Sequence, residues 1–130
     1  MKVTEAKKPT NFYITKEADA LGKEIIKESG NMNSISEIVP LALSLVILDK
    51  NQSHLNLDEA DITVHKGRLN DLENHEALAE LYQSTFIDLN TDEVWKNFQK
   101  AASAGIMMIH SKYFTHQKLI DWESINQDLL

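Results

Sequence analysis

The feature that most constrains this chain is the abrupt change of hydrophobic period between Thr10 and Leu48. Asn11-Phe12-Tyr13-Ile14-Thr15 alternates polar and apolar side chains, the period-two mark of a half-buried strand. Lys16 to Ser29 then carries Ala18, Leu21, Ile25 and Ile26 at helical spacing, and Gly30 suits the position just past a helix end. Ser34-Ile35-Ser36-Glu37 has the pattern of a capping box and opens a second, very apolar helix running through Leu48. Pro40 lies six residues past Ser34, so it should remove a helical hydrogen bond and bend this helix, unless the first turn starts later, at Ser36. A single short strand at residues 11–15 is an edge, and an edge must be paired or covered.

Beyond the second helix the pattern weakens. Asp49 to Asp61 reads as a polar linker, and Ile62-Thr63-Val64-His65-Lys66-Gly67 as a short strand ending in a turn. A helix from about Glu73 to Phe86 should turn Ala77, Leu78, Leu81, Tyr82 and Thr85 to one side. Thr91, followed by Asp92 and Glu93, suits the start of a helix reaching Tyr113. Val94, Phe98, Ala101, Ala102, Gly105, Met108, Ile109 and Tyr113 form its apolar stripe. The nearly side-chain-free run from Ala101 to Gly105 lets another helix come close, which would offset the roughly 1 kcal/mol cost of a mid-helix glycine. Thr115 to Leu130 would add a short last helix with Leu119, Trp122, Ile125 and Leu129 on one side.

Composition narrows the possibilities. The chain has 130 residues, enough for one domain, and no cysteine, which excludes disulfides, thiolate metal sites and cysteine nucleophiles. The N-terminus lacks the apolar core of a signal peptide, and Leu41 to Leu48 is too short to span a bilayer; no membrane and a cytoplasmic setting are expected. Formal net charge is -7, which argues against a surface that meets nucleic acid everywhere. The charge is uneven. Residues 1–30 hold six lysines against five acids, whereas residues 49–93 hold eleven acids against Lys50, Lys66 and Arg68. Only the N-terminal part is suited to approach phosphate, and Arg68 is the sole arginine.

Catalytic signals are poor. His54, His65, His75, His110 and His116 are scattered, without metal-ligand spacing; His110 and His116, around one helix end, read as surface residues. Acid pairs such as Asp58 with Glu59, and Asp92 with Glu93, read as solvated residues or helix starts. Neither a phosphate loop nor a nucleophile elbow is present, so no catalytic residue, metal or cofactor is expected.

In order and length, the strand and two helices resemble the ribbon-helix-helix module, in which two copies pair their strands and offer alternate side chains to the DNA major groove. That resemblance implies that Phe12 and Ile14 face inward while Asn11, Tyr13 and Thr15 face out to bases. Phosphate attraction would come from Lys7, Lys8 and Lys16, and from the second helix start with Ser34 and Ser36. The expected fold is mainly α. A ribbon-helix-helix-like module over residues 1–48 is followed by an acidic helical C-terminal extension over residues 49–130, packed on it as one compact domain.

Over residues 12–114 the chain also resembles the DndE family, small accessory proteins of bacterial DNA phosphorothioation, in which sulfur replaces a non-bridging phosphate oxygen. Ile14-Thr15-Lys16-Glu17-Ala18 stands where the family has "skea", and Leu41-Ala42-Leu43-Ser44-Leu45 where it has "LAL…SL". Leu81-Tyr82 and Gly105-Ile106-Met107-Met108 look like its later helices. Asp61-Ile62-Thr63-Val64-His65-Lys66 replaces the block "GLEFNR", and Pro40, Ala101 and Ala104 stand where basic residues occur in the family. The resemblance implies a non-enzymatic, DNA-associated helper, working as a homo-oligomer (dimer or tetramer) beside other proteins of a modification complex. Two alternatives fit the residues: a ribbon-helix-helix repressor or antitoxin, and an acidic assembly adaptor without DNA contact.

Overall fold

A computed structural model of the chain describes residues 7–29, 32–114 and 121–129. It is mainly helical, with β1 (Asn11–Thr15), α1 (Lys16–Ser29), α2 (Ile35–Asp49), β2 (Ile62–Arg68), α3 (His75–Thr85), α4 (Val94–Met108) and α5 (Trp122–Leu129), joined by short 3-10 turns. Gly30, Thr115, His116 and Leu119, each given a place by the sequence pattern, lie outside the described residues.

The first strand departs most from expectation. β1 is not a lone edge strand: it pairs antiparallel with β2 of the same chain. Helix α4 lies along it as well, and side chains from that helix take up two of its amides. The Tyr13 N–H donates to Gln99 Oε1 at 2.7 Å and the Thr15 N–H to Ser103 Oγ at 3.1 Å. The ribbon is thus completed within one chain. The polar pattern of β1 cannot reveal this, because both partners lie far along the sequence.

Phe12 and Ile14 face the core as expected, but Thr15 does not face outward. It is buried, and its Oγ1 accepts from the Ala18 N–H, so this side chain caps α1. At α2, half of the expected capping box is present. Ser34 holds the extended N-cap position without a side-chain bond, while Glu37 Oε2 accepts from the Asn33 N–H at 2.9 Å, one residue earlier than the motif predicts. Pro40 lies inside α2, past its first turn, where it leaves the Ser36 carbonyl without its usual donor. Ser44 Oγ donates to the Pro40 carbonyl at 2.8 Å.

The core is organised by the crossing of α2 and α4. Ile38, Val39, Ala42 and Leu43 of α2 are fully buried, as are Phe98, Ala101, Ala102 and Ile106 of α4. At the crossing the backbones nearly touch. A Cβ on Gly105 would sit 2.3 Å from the Ala42 carbonyl oxygen and 2.7 Å from the Ala42 Cβ. The small-residue run from Ala101 to Gly105 does admit another helix, and that helix is α2. The apolar stripe of α4 continues through a wider π-helical turn, Ile109–Tyr113, in which Ile109 and Tyr113 are buried.

Two local expectations shift. α3 buries Ala79 and Tyr82, with Phe86 just beyond its end, whereas Ala77 and Leu81 are exposed; the buried face is rotated from the expected one. Before α4, Asn90 rather than Thr91 does the capping, its Oδ1 accepting from the Asp92 N–H.

Candidate nucleic-acid interface

The outer face of the ribbon is shaped by a bulge. Asn11 pairs with Arg68 and Tyr13 with His65, so one residue of β1 between them opposes two of β2, Lys66 and Gly67. Cross-strand partners share a face. The extra residue therefore brings His65 and Arg68, three positions apart, to the same side; in a regular strand they would point to opposite sides. Gly67 makes this possible. Its φ is +118°, a conformation that side-chain-bearing residues rarely adopt.

The resulting face carries Asn11, Tyr13, His65 and Arg68. The Tyr13 and His65 rings meet edge to face, with centroids 5.4 Å apart, and His65 Nε2 lies 3.2 Å from Asn11 Oδ1. Arg68 is exposed, and its guanidinium makes no hydrogen bond or ion pair with any described side chain. Neighbouring cations differ. Lys66 is held by Asp19 at 2.7 Å, and Lys8 by Glu76 at 3.0 Å with His75 Nε2 also within 3.0 Å. Burial would push the Asp19 carboxyl up, but hydrogen bonds from Lys66 and Lys23 outweigh it and hold the group below the usual carboxylate range. The hydrogen bond from Lys8 likewise lowers Glu76. These lysines are largely neutralised at short range.

The sequence-based candidates therefore separate. Asn11 and Tyr13 share the outer face, and Lys7 and Lys16 are exposed nearby in sequence. Lys8 is drawn to the start of α3, and Thr15 is turned into the core. Ser34 and Ser36 are exposed at the start of α2; Ser36 shares a hollow of about 190 Å³ with Lys66, Gly67, Arg68 and Asp71. His65 and Arg68 were missed as site residues. Gly67 was the available signal, because a glycine inside a strand pattern marks a bulge.

Other clusters are structural in character. His54 is buried with Nε2 2.5 Å from the Tyr82 hydroxyl and Nδ1 3.3 Å from the Asn51 carbonyl oxygen, and the Phe86 ring packs against it. Burial lowers the His54 pKa, and Lys100 adds to that, outweighing the Asn51 bond; burial raises that of Tyr82. No group of three or more potential metal ligands occurs among the described residues, and no described helix is long and apolar enough to cross a membrane. Compared with models of protein families, with curated proteins and with solved structures, the chain matches none.

Proposed function

We propose that this chain is a non-enzymatic, DNA-associated accessory protein of the DndE type, and that it meets the duplex through the outer face of the β1–β2 ribbon. The observation that carries this reading is the sole arginine. In a chain of formal net charge -7, Arg68 stands exposed and without a carboxylate partner among the described residues, beside Asn11, Tyr13 and His65. A guanidinium contacts phosphate or guanine, an asparagine amide contacts adenine or phosphate, and a histidine supplies one further donor or acceptor. In this reading the chain acts as a homo-oligomer, in which a second copy covers Leu48 and Leu81, 50% and 51% exposed.

Few free cations and an acidic remainder make the binding weak, in the non-specific range of about 10⁻⁴ to 10⁻⁶ M. Titration of a labelled duplex at about 50 mM and about 200 mM salt tests it. Measurable binding at the lower salt, reduced in Arg68→Ala, is the expected result. Finding none at low salt would hand the case to the acidic adaptor without DNA contact, which the neutralisation of Lys8 and Lys66 favours. The repressor or antitoxin reading needs β1 to pair with its own copy. The α4 side chains on the Tyr13 and Thr15 amides count against that.

A further inference from the structure

A second feature lies away from the ribbon's outer face. The start of α1, the end of α2, the turn after α2 and the last turns of α4 enclose a cleft of about 350 Å³. Leu21, Val46, Met107 and Met108 line it with aliphatic and thioether surface, and Glu17 and Asp49 line it with carboxylates. Both acids are exposed, and neither has an ion pair among the described residues. Asp49 is the informative one. It is the last residue of α2, where the helix dipole is negative and a carboxylate is disfavoured. Glu17, in the first turn of α1, is favoured by the helix dipole, whereas Asp49 is opposed by it. Lys50, next in sequence, does not line the cleft.

We infer that this cleft receives an arginine or lysine side chain from an exposed segment of a partner protein. Apolar walls suit the aliphatic stem of such a side chain, and the carboxylates suit its charged head. The methionines let the walls adapt to the entering group. His54 faces the same space with its ring fixed by Tyr82 and Asn51, and His110 Nε2 lies 3.2 Å from Glu24 Oε2 without hydrogen-bond geometry. Lys100 acts on His54 electrostatically but does not line the cleft, whose charged lining side chains are Glu17 and Asp49. The occupant is assigned by charge complementarity: a chain of formal net charge -7 with unpaired acids in an apolar cleft attracts a basic protein surface. The inference does not rest on DNA binding, because no residue of the ribbon's outer face lines the cleft.

The test is an amide-resolved NMR titration of the full chain with three probes: the peptide acetyl-Leu-Arg-Leu-amide, the same peptide with citrulline, and agmatine. The arginine peptide should shift amides within Asp49–His54 and Ala104–Ser111, and the neutral citrulline peptide should bind about tenfold more weakly. Glu17→Gln with Asp49→Asn should bring the arginine peptide down to the citrulline level, while circular dichroism shows the fold unchanged, both sites being exposed. Equal binding of the arginine and citrulline peptides, or no shifts in these segments, overturns the inference. Agmatine binding as tightly as the peptide also overturns it, since the cleft would then serve a small free amine.

Discussion

The ribbon's outer face and the α2–α4 crossing solve opposite problems. At the crossing, two backbones approach until no atom fits between Gly105 and the Ala42 carbonyl, and every neighbouring side chain is apolar or small. On the ribbon face, side chains of different kinds stand in water, and their arrangement follows from one extra residue in β2. Tightness makes the crossing intolerant of change, whereas the face has room for substitution and carries Arg68, a cation without an ion pair among the described residues. The contrast separates what holds this chain together from what it offers to a partner, and each variant below bears on one side or the other.

The largest effect should come from Gly105→Ala. The new methyl would stand 2.3 Å from a backbone oxygen, so the helices must separate rather than a side chain rotate. Overpacking costs of this kind run to about 3 kcal/mol, well above the roughly 1 kcal/mol of helix propensity gained. Urea unfolding should show a clear drop in midpoint; an unchanged or raised midpoint would mean that the crossing is loose.

Next is the buried bond between His54 and Tyr82. Tyr82→Phe removes the hydroxyl beside His54 Nε2 and leaves a buried ring nitrogen without its partner, at a cost of about 1 to 2 kcal/mol. The pH dependence follows from the lowered His54 pKa. The folded chain favours the neutral ring while the unfolded chain takes a proton near the ordinary histidine value of 6.5, so His54 contributes its stability above that pH. That contribution drains as pH falls through 6.5 toward the lower folded value. Urea midpoints at about pH 7.5 and about pH 5.5 should therefore differ in the parent chain, and the gap should shrink in His54→Gln. An equal gap in both would assign the acid sensitivity elsewhere.

These two sites show what was legible in the sequence. The Ala101–Gly105 run announced a close helix contact, because small residues at helical spacing have few other uses. The partner strand at Ile62–Gly67 was legible too, as an isolated strand. What local pattern could not supply was who pairs with whom. Ser103 and Gln99 look like ordinary helix residues, yet both serve the amides of β1; Thr15 looks like an outward strand residue, yet it caps α1. Each depends on a contact across tertiary distance. The rotated face of α3 has a similar origin, since Phe86, just past its end, packs on His54, whose turn follows α2.

A smaller effect is expected where the two regions join. Ser103→Ala leaves the buried Thr15 N–H without its acceptor, which should cost about 1 kcal/mol. Combined with Gln99→Ala it also uncovers two amides on β1, and an uncovered strand edge is a template for another chain. Light scattering across a concentration series should show stronger self-association in the double variant than in the parent. If association is unchanged, α4 covers the edge by bulk packing and these two hydrogen bonds are incidental to it.

The smallest effect on stability, and the one that bears most directly on function, belongs to Arg68→Ala. Arg68 is exposed and unpaired among the described residues, so its removal should leave the unfolding free energy from urea titration unchanged within about 0.5 kcal/mol. Duplex binding should respond quite differently. If the guanidinium sits on a phosphate, its loss lowers the slope of log K against log salt by about 0.9 and weakens all sequences alike. If it reads a guanine, one sequence should lose more than the others. Lys66→Gln serves as the comparison: that charge is already held by Asp19, so the variant should disturb folding more than binding. A chain in which Arg68→Ala changes neither the affinity nor the salt slope does not use the ribbon face for DNA. The distinction between the closed crossing and the open face would then have to be redrawn around the acidic cleft.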